Sequence, residues 1–326
     1  MQSLRRLVPL VAALAVLGSA AKLPGGSTGG SVAPPSAPPP GEPVTIAAAG
    51  DIACDPADGA FNGGMGTASR CAQMRTSDLL VGRDLDAILM PGDLQYECGG
   101  YQAFLQSFDP SWGRFKPLIR PVPGNHEYKE SDGTDCDPTG TAAGYFDYFG
   151  AAAGERGKGY HSFDLGGWHL VGLNSNCSSG GGCGATSVQG RWFTADLAAN
   201  SADCTLAYSH HPRWSSGEHG SELKMANFFQ TLYDAGGEIL LSGHDHNYER
   251  FAPMAPDGAV VSNGVRQFVA GAGGKSLRQI TPIPGSRAAI DDRFGVLFLT
   301  LEDDRYRWAF VSEAGVTLDS GSAPCH

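Results

Sequence analysis

The sequence predicts an α/β domain over about residues 44–326, with two packed sheets flanked by helices. Three observations predict it. Strand-like apolar runs alternate with helix-length segments as far as Leu241, and beyond His246 the pattern turns mostly to strand. Five of the apolar runs, at 45–49, 87–90, 118–122, 205–208 and 239–241, each end in a short polar motif. Helices are expected at about 67–81, 101–108, 188–199 and 221–234. A hairpin around Gly166-Gly167 joins strands at 160–165 and 168–173, and the closing strands are expected at 266–270, 294–301, 306–312 and 316–319. Glycine is abundant, with 46 residues, so long irregular segments are expected around the strand ends.

The five motifs carry the chemistry. They are Gly50-Asp51, Gly92-Asp93-Leu94-Gln95-Tyr96, Gly124-Asn125-His126-Glu127, His210-His211-Pro212 and Gly243-His244-Asp245-His246. Ligands of open α/β sheets bind outside the carboxyl ends of the strands, so these side chains are expected on one rim. Carboxylate, amide, phenol and imidazole donors without a thiolate describe a metal site of mixed oxygen and nitrogen ligands. Two hard or borderline cations sharing a carboxylate fit that set. Taken singly, an Asp after a strand is a turn or cap residue and a Tyr is core; the ordered set is what carries information. His161 and His169 flank the hairpin and read as structural or surface residues. Gly273-Gly274-Lys275-Ser276 ends like a phosphate-binding loop, but Val269 stands where that pattern needs glycine. It reads as a turn after a strand.

GD, GDxxY, GNHE, HxP and GHxH in this order resemble the calcineurin-like metallophosphoesterases, and among them the purple acid phosphatases. Most relatives write the first motif as DxH, whereas Ala53 occupies that place here and Tyr96 supplies the tyrosine of GDxxY. His246-Asn247-Tyr248-Glu249-Arg250 is similar to the HxYER ending of the purple enzymes, and Gly217-Glu218-His219-Gly220 to the EHG of the mammalian type. The resemblance implies a four-layer αββα sandwich with two mixed sheets and a metal site at the C-terminal strand ends. It implies Fe(III) held by Asp51, Tyr96 and His246, and Zn, Mn or Fe(II) held by Asn125, His210 and His244, with Asp93 bridging. A phenolate suits a trivalent ion, and an amide with two imidazoles suits a divalent one. The implied activity is hydrolysis of small phosphate monoesters by a metal-activated hydroxide, with His126 and His219 on the substrate side as candidate general acids. Phosphodiesters or nucleotides are the alternative substrates, and a non-catalytic extracellular phosphate- or metal-binding protein is the alternative of another class.

The remaining features agree with an exported enzyme. Arg5-Arg6, an apolar run over 7–17 and small residues at 18–21 predict a signal peptide over 1–22, too short in its apolar part to span a membrane. Residues 23–43 are Pro, Gly, Ser and Ala with almost no large apolar side chain, which predicts a disordered tether. With only that tether ahead of the domain, the resemblance is to the small, single-domain type. The eight cysteines all follow the tether, an even count that predicts disulfides in an exported chain. Eight cysteines allow 105 pairings, so sequence leaves connectivity open; short loops favour Cys54–Cys71 and Cys177–Cys183, in which case Cys98–Cys136 would tie the loops after the second and third motifs and Cys204–Cys325 would anchor the C-terminus. The formal charge of −11, without a Lys/Arg cluster, argues against a nucleic-acid polymer as partner. Bound cations would supply the local positive charge that a phosphate needs.

Overall fold

The computed structural model describes residues 42–326. The signal segment and nearly all of the tether expected before Val44 lie outside the described residues. Among those described, no helix is long and apolar enough to cross a membrane.

The strands in chain order are β1 (Val44–Ala48), β2 (Ala87–Pro91), β3 (Ile119–Val122), β4 (His161–Leu165), β5 (Trp168–Leu173), β6 (Cys204–Ser209), β7 (Ile239–Ser242), β8 (Tyr248–Met254), β9 (Val265–Ala270), β10 (Ser286–Ile290), β11 (Gly295–Glu302), β12 (Arg305–Ser312) and β13 (Thr317–Pro324). They form a six-stranded sheet in the order β13-β12-β11-β1-β2-β3 and a seven-stranded sheet in the order β10-β8-β9-β7-β6-β5-β4. Both are mixed. β1, β2 and β3 run parallel, as do β5, β6, β7 and β9, while the outer strands pair antiparallel.

Three apolar layers hold the fold together. Alternate residues of β1 choose between two of them: Ile46 and Ala48 face the core between the sheets, while Ala47, and Ala49 just beyond the strand, face the helices. The core between the sheets adds Leu89, Leu206, Tyr208, Leu241, Leu299 and Trp308. On the outer side of the first sheet, Phe104, Phe108, Trp112, Tyr145 and Phe149 cover Ile88 and Met90. On the far side of the second, Phe193, Phe228, Phe229 and Leu232 cover Val171, Ala207 and Leu240. These are the interiors of a four-layer αββα sandwich. Central strands buried on both faces read as continuous apolar runs, which is why the sequence shows them clearly.

The helices are α1 (Gln73–Asp78), α2 (Tyr101–Ala103), α3 (Ala143–Phe149), α4 (Val188–Ala199) and α5 (Ala226–Asp234). Two begin later than their composition suggests. Cys71 sits at φ +61° and is bonded to Cys54, so the chain reaches Gln73 before it can coil. Ser221 accepts the Ser215 N–H at 3.1 Å and braces a loop instead of capping a helix; α5 follows a single 3₁₀ turn, Leu223–Met225. The segment expected to be helical at 101–108 is helical, but its second part, Phe104–Phe108, is a π turn.

All four expected disulfides are present, and no cysteine is free. Cys204–Cys325 closes the longest loop, with a sequence separation of 121, and fastens the last strand to β6. On the loop-entropy argument it contributes about 4–5 kcal/mol, against about 2 kcal/mol for the six-residue Cys177–Cys183 link. Replacing Cys204 and Cys325 by Ser should therefore lower the urea midpoint more than replacing Cys177 and Cys183; equal losses would count against that ranking.

His161 and His169 are structural, as expected. His169 lies between Asp164 (2.7 Å) and Asp196 (2.9 Å). His161 Nε2 meets the Tyr208 hydroxyl at 2.9 Å, and burial, assisted by Arg120, brings its pKa down to about 4. The unfolded imidazole, with its ordinary value near 6.5, takes up a proton first. Stability from this group is therefore complete above about pH 6.5 and is lost as pH falls towards 4, by roughly 2–3 kcal/mol. His161→Gln keeps a hydrogen-bonding side chain without that titration, so its acid-limb stability curve should be flatter than wild type in denaturant melts between pH 4 and 6.5.

Candidate metal centre

The carboxyl ends of β1, β2 and β3 in one sheet and of β6 and β7 in the other open on one rim. Their loops touch because of two glycines. Gly92 has φ +77°, and a Cβ there would lie 2.7 Å from both the Cα and the N of Gly124. A Cβ on Gly124 would lie 2.1 Å from Asp93 Oδ1. Asp51, Asp93 and His244 themselves hold left-handed backbone, with φ of +58°, +51° and +73°. Asp and His tolerate that region better than most residues, and such conformations cluster at functional sites.

The structure brings together all seven side chains expected to hold metal. The Tyr96 hydroxyl lies 2.9 Å from Asp51 Oδ1, 3.0 Å from Asp93 Oδ2 and 3.0 Å from His246 Nε2. His210 Nε2 lies 3.0 Å from Asn125 Oδ1, 3.1 Å from His244 Nδ1 and 3.3 Å from Asp93 Oδ2. Asp93 thus touches both groups, one built on Tyr96 and the other on His210.

The electrostatics of this cluster call for cations. A phenol has one proton to donate, yet Tyr96 faces three acceptor-bearing neighbours. His210 Nδ1 is 3.0 Å from the Pro91 carbonyl, which only accepts, so Nδ1 carries a hydrogen and Nε2 is the atom turned towards Asn125 Oδ1 and Asp93 Oδ2; against the effect of burial, Asp93 and Asp51 push the pKa of this imidazole up to about 9. Asp51 and Asp93 are buried, and among the described residues they face imidazoles and no lysine or arginine side chain. Two buried carboxylates side by side are costly unless enough positive charge offsets them. Burial raises Asp51 well above the usual carboxylate range, with His210 opposing and Asp93 reinforcing the shift. Burial acts the same way on Asp93, but His210 and His126 outweigh it and hold that group well below its usual value. Ligand atoms of Asp51, Asp93 and His210 lie within 4.8 Å of one another, as do those of His210, His211 and His244, and this clustering of oxygen and imidazole donors fits bound metal.

His126 and His219 flank this centre without joining the donor set. The His126 ring lies 4.2 Å from that of Tyr96; its Nδ1 donates to the Glu97 carbonyl at 2.6 Å, leaving Nε2 towards the site, 3.9 Å from Asp93 Oδ2. His219 stacks on His244 at 4.3 Å, and its Nε2 is contacted by the Arg278 guanidinium. His211 points its Nδ1 at Ser175 Oγ, 2.8 Å away, yet its ring lies 4.4 Å from that of His244.

Several supporting residues carry no reading from sequence. Glu127, fully buried, accepts N–H groups from Gly124 (2.6 Å), Asp93 (3.0 Å), Leu94 (2.8 Å) and Gln95 (3.2 Å), and so clamps the second and third motif loops together. Burial, reinforced by Asp93, moves its pKa up to about 7. Ser276 Oγ is 2.7 Å from His246 Nδ1 and orients that ring. Asp245 takes the His219 N–H at 2.9 Å and the Ser215 hydroxyl, anchoring the loop that presents His219. A signal for Glu127 was available: a glutamate two residues from a candidate ligand, inside a motif, with no surface-like surroundings.

Comparison with known proteins agrees with this geometry. A family model for calcineurin-like phosphoesterases matches residues 44–248. Purple acid phosphatase 23 of Arabidopsis thaliana is 30% identical over 226 residues, covering 59% of this chain and 47% of that protein. Purple acid phosphatase 21 of the same plant is 28% identical over 196 residues, covering 56% and 42%. The chain thus spans under half the length of these relatives. A purple acid phosphatase from yellow lupin (Lupinus luteus) seeds superposes with a TM-score of 0.72 at 21% identity, over 88% of this chain and 55% of that one. GAP50 of Plasmodium, described as an anchor in the inner membrane complex, gives 0.57 at 15% identity over 87% and 89%. With five motifs on one rim, two mixed sheets and a family match across most of the domain, the chain belongs to the calcineurin-like phosphoesterase family.

Proposed function

We propose that this protein is an exported phosphoesterase with two metal ions, resembling the purple acid phosphatases, that hydrolyses small phosphate monoesters. The observation that carries it is the pair of donor groups joined through Asp93. Asp51, Tyr96 and His246 would hold Fe(III); Asn125, His210 and His244 would hold Zn, Mn or Fe(II). When bound, the two ions supply Lewis acidity, a nucleophile from water at moderate pH and neutralisation of phosphoryl charge. The chain's own residues do the rest. Asp93 fixes the spacing of the two positions. Pro91 and Ser276 set the rings of His210 and His246 so that Nε2 faces inward. His126, whose Nε2 faces the site, would deliver a proton to the departing alkoxide when its imidazole is protonated, and His219, with Arg278 beside its Nε2, is the second candidate. Four disulfides support an oxidising, extracellular setting.

The alternative of another class is a non-catalytic extracellular phosphate- or metal-binding protein. The complete donor set favours an enzyme. Metal-loaded protein assayed on a panel of mono- and diesters, with metal analysis of the same sample, separates the readings. Turnover of monoesters with two ions per chain is expected. Tight metal binding without turnover of any ester would leave the binding reading.

A further inference from the structure

Lys275 belongs to the glycine turn that follows β9, and no step described above uses it. Its side chain is 8% exposed. Lysine is almost never buried unless paired, and here the ammonium contacts Glu97 and lies 3.5 Å from Asp58. The same ammonium stands 4.8 Å from the centroid of the Tyr96 ring. That distance is within reach of a cation–π contact. The backbone around it is part of the site's frame: Lys275 N donates to the Asp51 carbonyl at 2.8 Å, and the Lys275 carbonyl accepts from Cys71 at 3.1 Å. The next residue, Ser276, orients His246. One turn therefore addresses three of the candidate ligands on the Tyr96 side.

We propose that Lys275 is a positioning residue for Tyr96, holding the phenol ring from its face and lowering the electron density that the ring offers to the metal. Glu97 and Asp58 serve to keep the ammonium in place. The proposal rests on Tyr96 ligating Fe(III), as the proposed function has it. A positive charge against the donor ring stabilises the electrons that a ligand-to-metal transition removes, so it raises the transition energy. Water screens this charge little because the ammonium is buried, and the Glu97 carboxylate offsets part of it. The same charge favours the reduced iron.

The test uses full-length protein loaded with Fe(III) and Zn(II), read by visible absorption, iron content and redox titration. Wild type should be coloured. Lys275→Met should move the band to longer wavelength and lower the iron potential at unchanged iron content, and Lys275→Arg should restore both towards wild type. Glu97→Gln, a change at a partly exposed position, removes a negative charge beside the ammonium and should move the band the other way; it also gives a readout if Lys275→Met fails to fold. A Lys275→Met protein with full iron and an unmoved band and potential would overturn the proposal, as would an unmoved band in Glu97→Gln if only that variant folds. Iron-bound wild type without any visible band would overturn the ligation by Tyr96 on which it rests. The first outcome leaves the ligation by Tyr96 standing; the last does not.

Discussion

Asp93→Asn should empty both metal positions together. The substitution keeps the size of the side chain and removes the one charge that faces both donor groups: Asp93 Oδ2 is 3.0 Å from the Tyr96 hydroxyl and 3.3 Å from His210 Nε2. Metal analysis should show correlated loss of both ions, with monoester turnover down by about 10³-fold or more, the several kcal/mol that bound cations supply. Asn125→Ala is the control. It removes a single neutral donor beside His210 and should deplete mainly the divalent position. Two full sites in Asp93→Asn would end the bridging role.

His126→Asn should separate two classes of substrate. An alkyl phosphate leaves as a poor leaving group unless protonated, whereas an aryl phosphate leaves unaided. His126 presents Nε2 to the site because its Nδ1 is committed to the Glu97 carbonyl. With metal content unchanged, alkyl phosphates should slow by about 10²–10⁴-fold and aryl phosphates far less. The same comparison with His219→Asn asks whether that ring shares the task, since its Nε2 is engaged by Arg278. Equal losses on both substrate types would assign the residue to phosphate binding, and loss of metal would make it a ligand.

The strand ends were legible because their strands are buried on both faces. β1, β2, β6 and β7 appear as short apolar runs, and each hands the next residues to the rim. Other elements hide their nature in polar pairing. β8 carries Glu249 and Arg250 and contains Pro253; the glutamate is absorbed by Ser216 and Ser286, and the arginine by Asp319. β10 is an edge strand of small and polar residues whose register against β8 is broken by a bulge. α3 begins directly after Ala142 at φ +58°, without a side-chain cap to announce it. The starts of α1 and α5 were displaced by a disulfide and by a loop brace, both long-range or loop-level constraints with no local composition signal.

The same division applies to the site. Donor groups sit inside motifs, so their identity and order are visible. The residues that hold them do so across sequence distances of tens to hundreds of positions. Glu127 gathers N–H groups from two loops, and Lys275 meets a ring 179 residues earlier in the chain, through space alone. Only the folded arrangement shows that the glycine turn, set aside as a false phosphate loop, stands against the candidate metal centre.

Anomalous diffraction from crystals of the metal-loaded protein tests the central claim most directly, by locating and distinguishing the ions. The expected result is two peaks about 3.5–4 Å apart, iron between Asp51, Tyr96 and His246, a divalent ion between Asn125, His210 and His244, and Asp93 touching both. A single peak, or two ions with Tyr96 turned away from them, would contradict it.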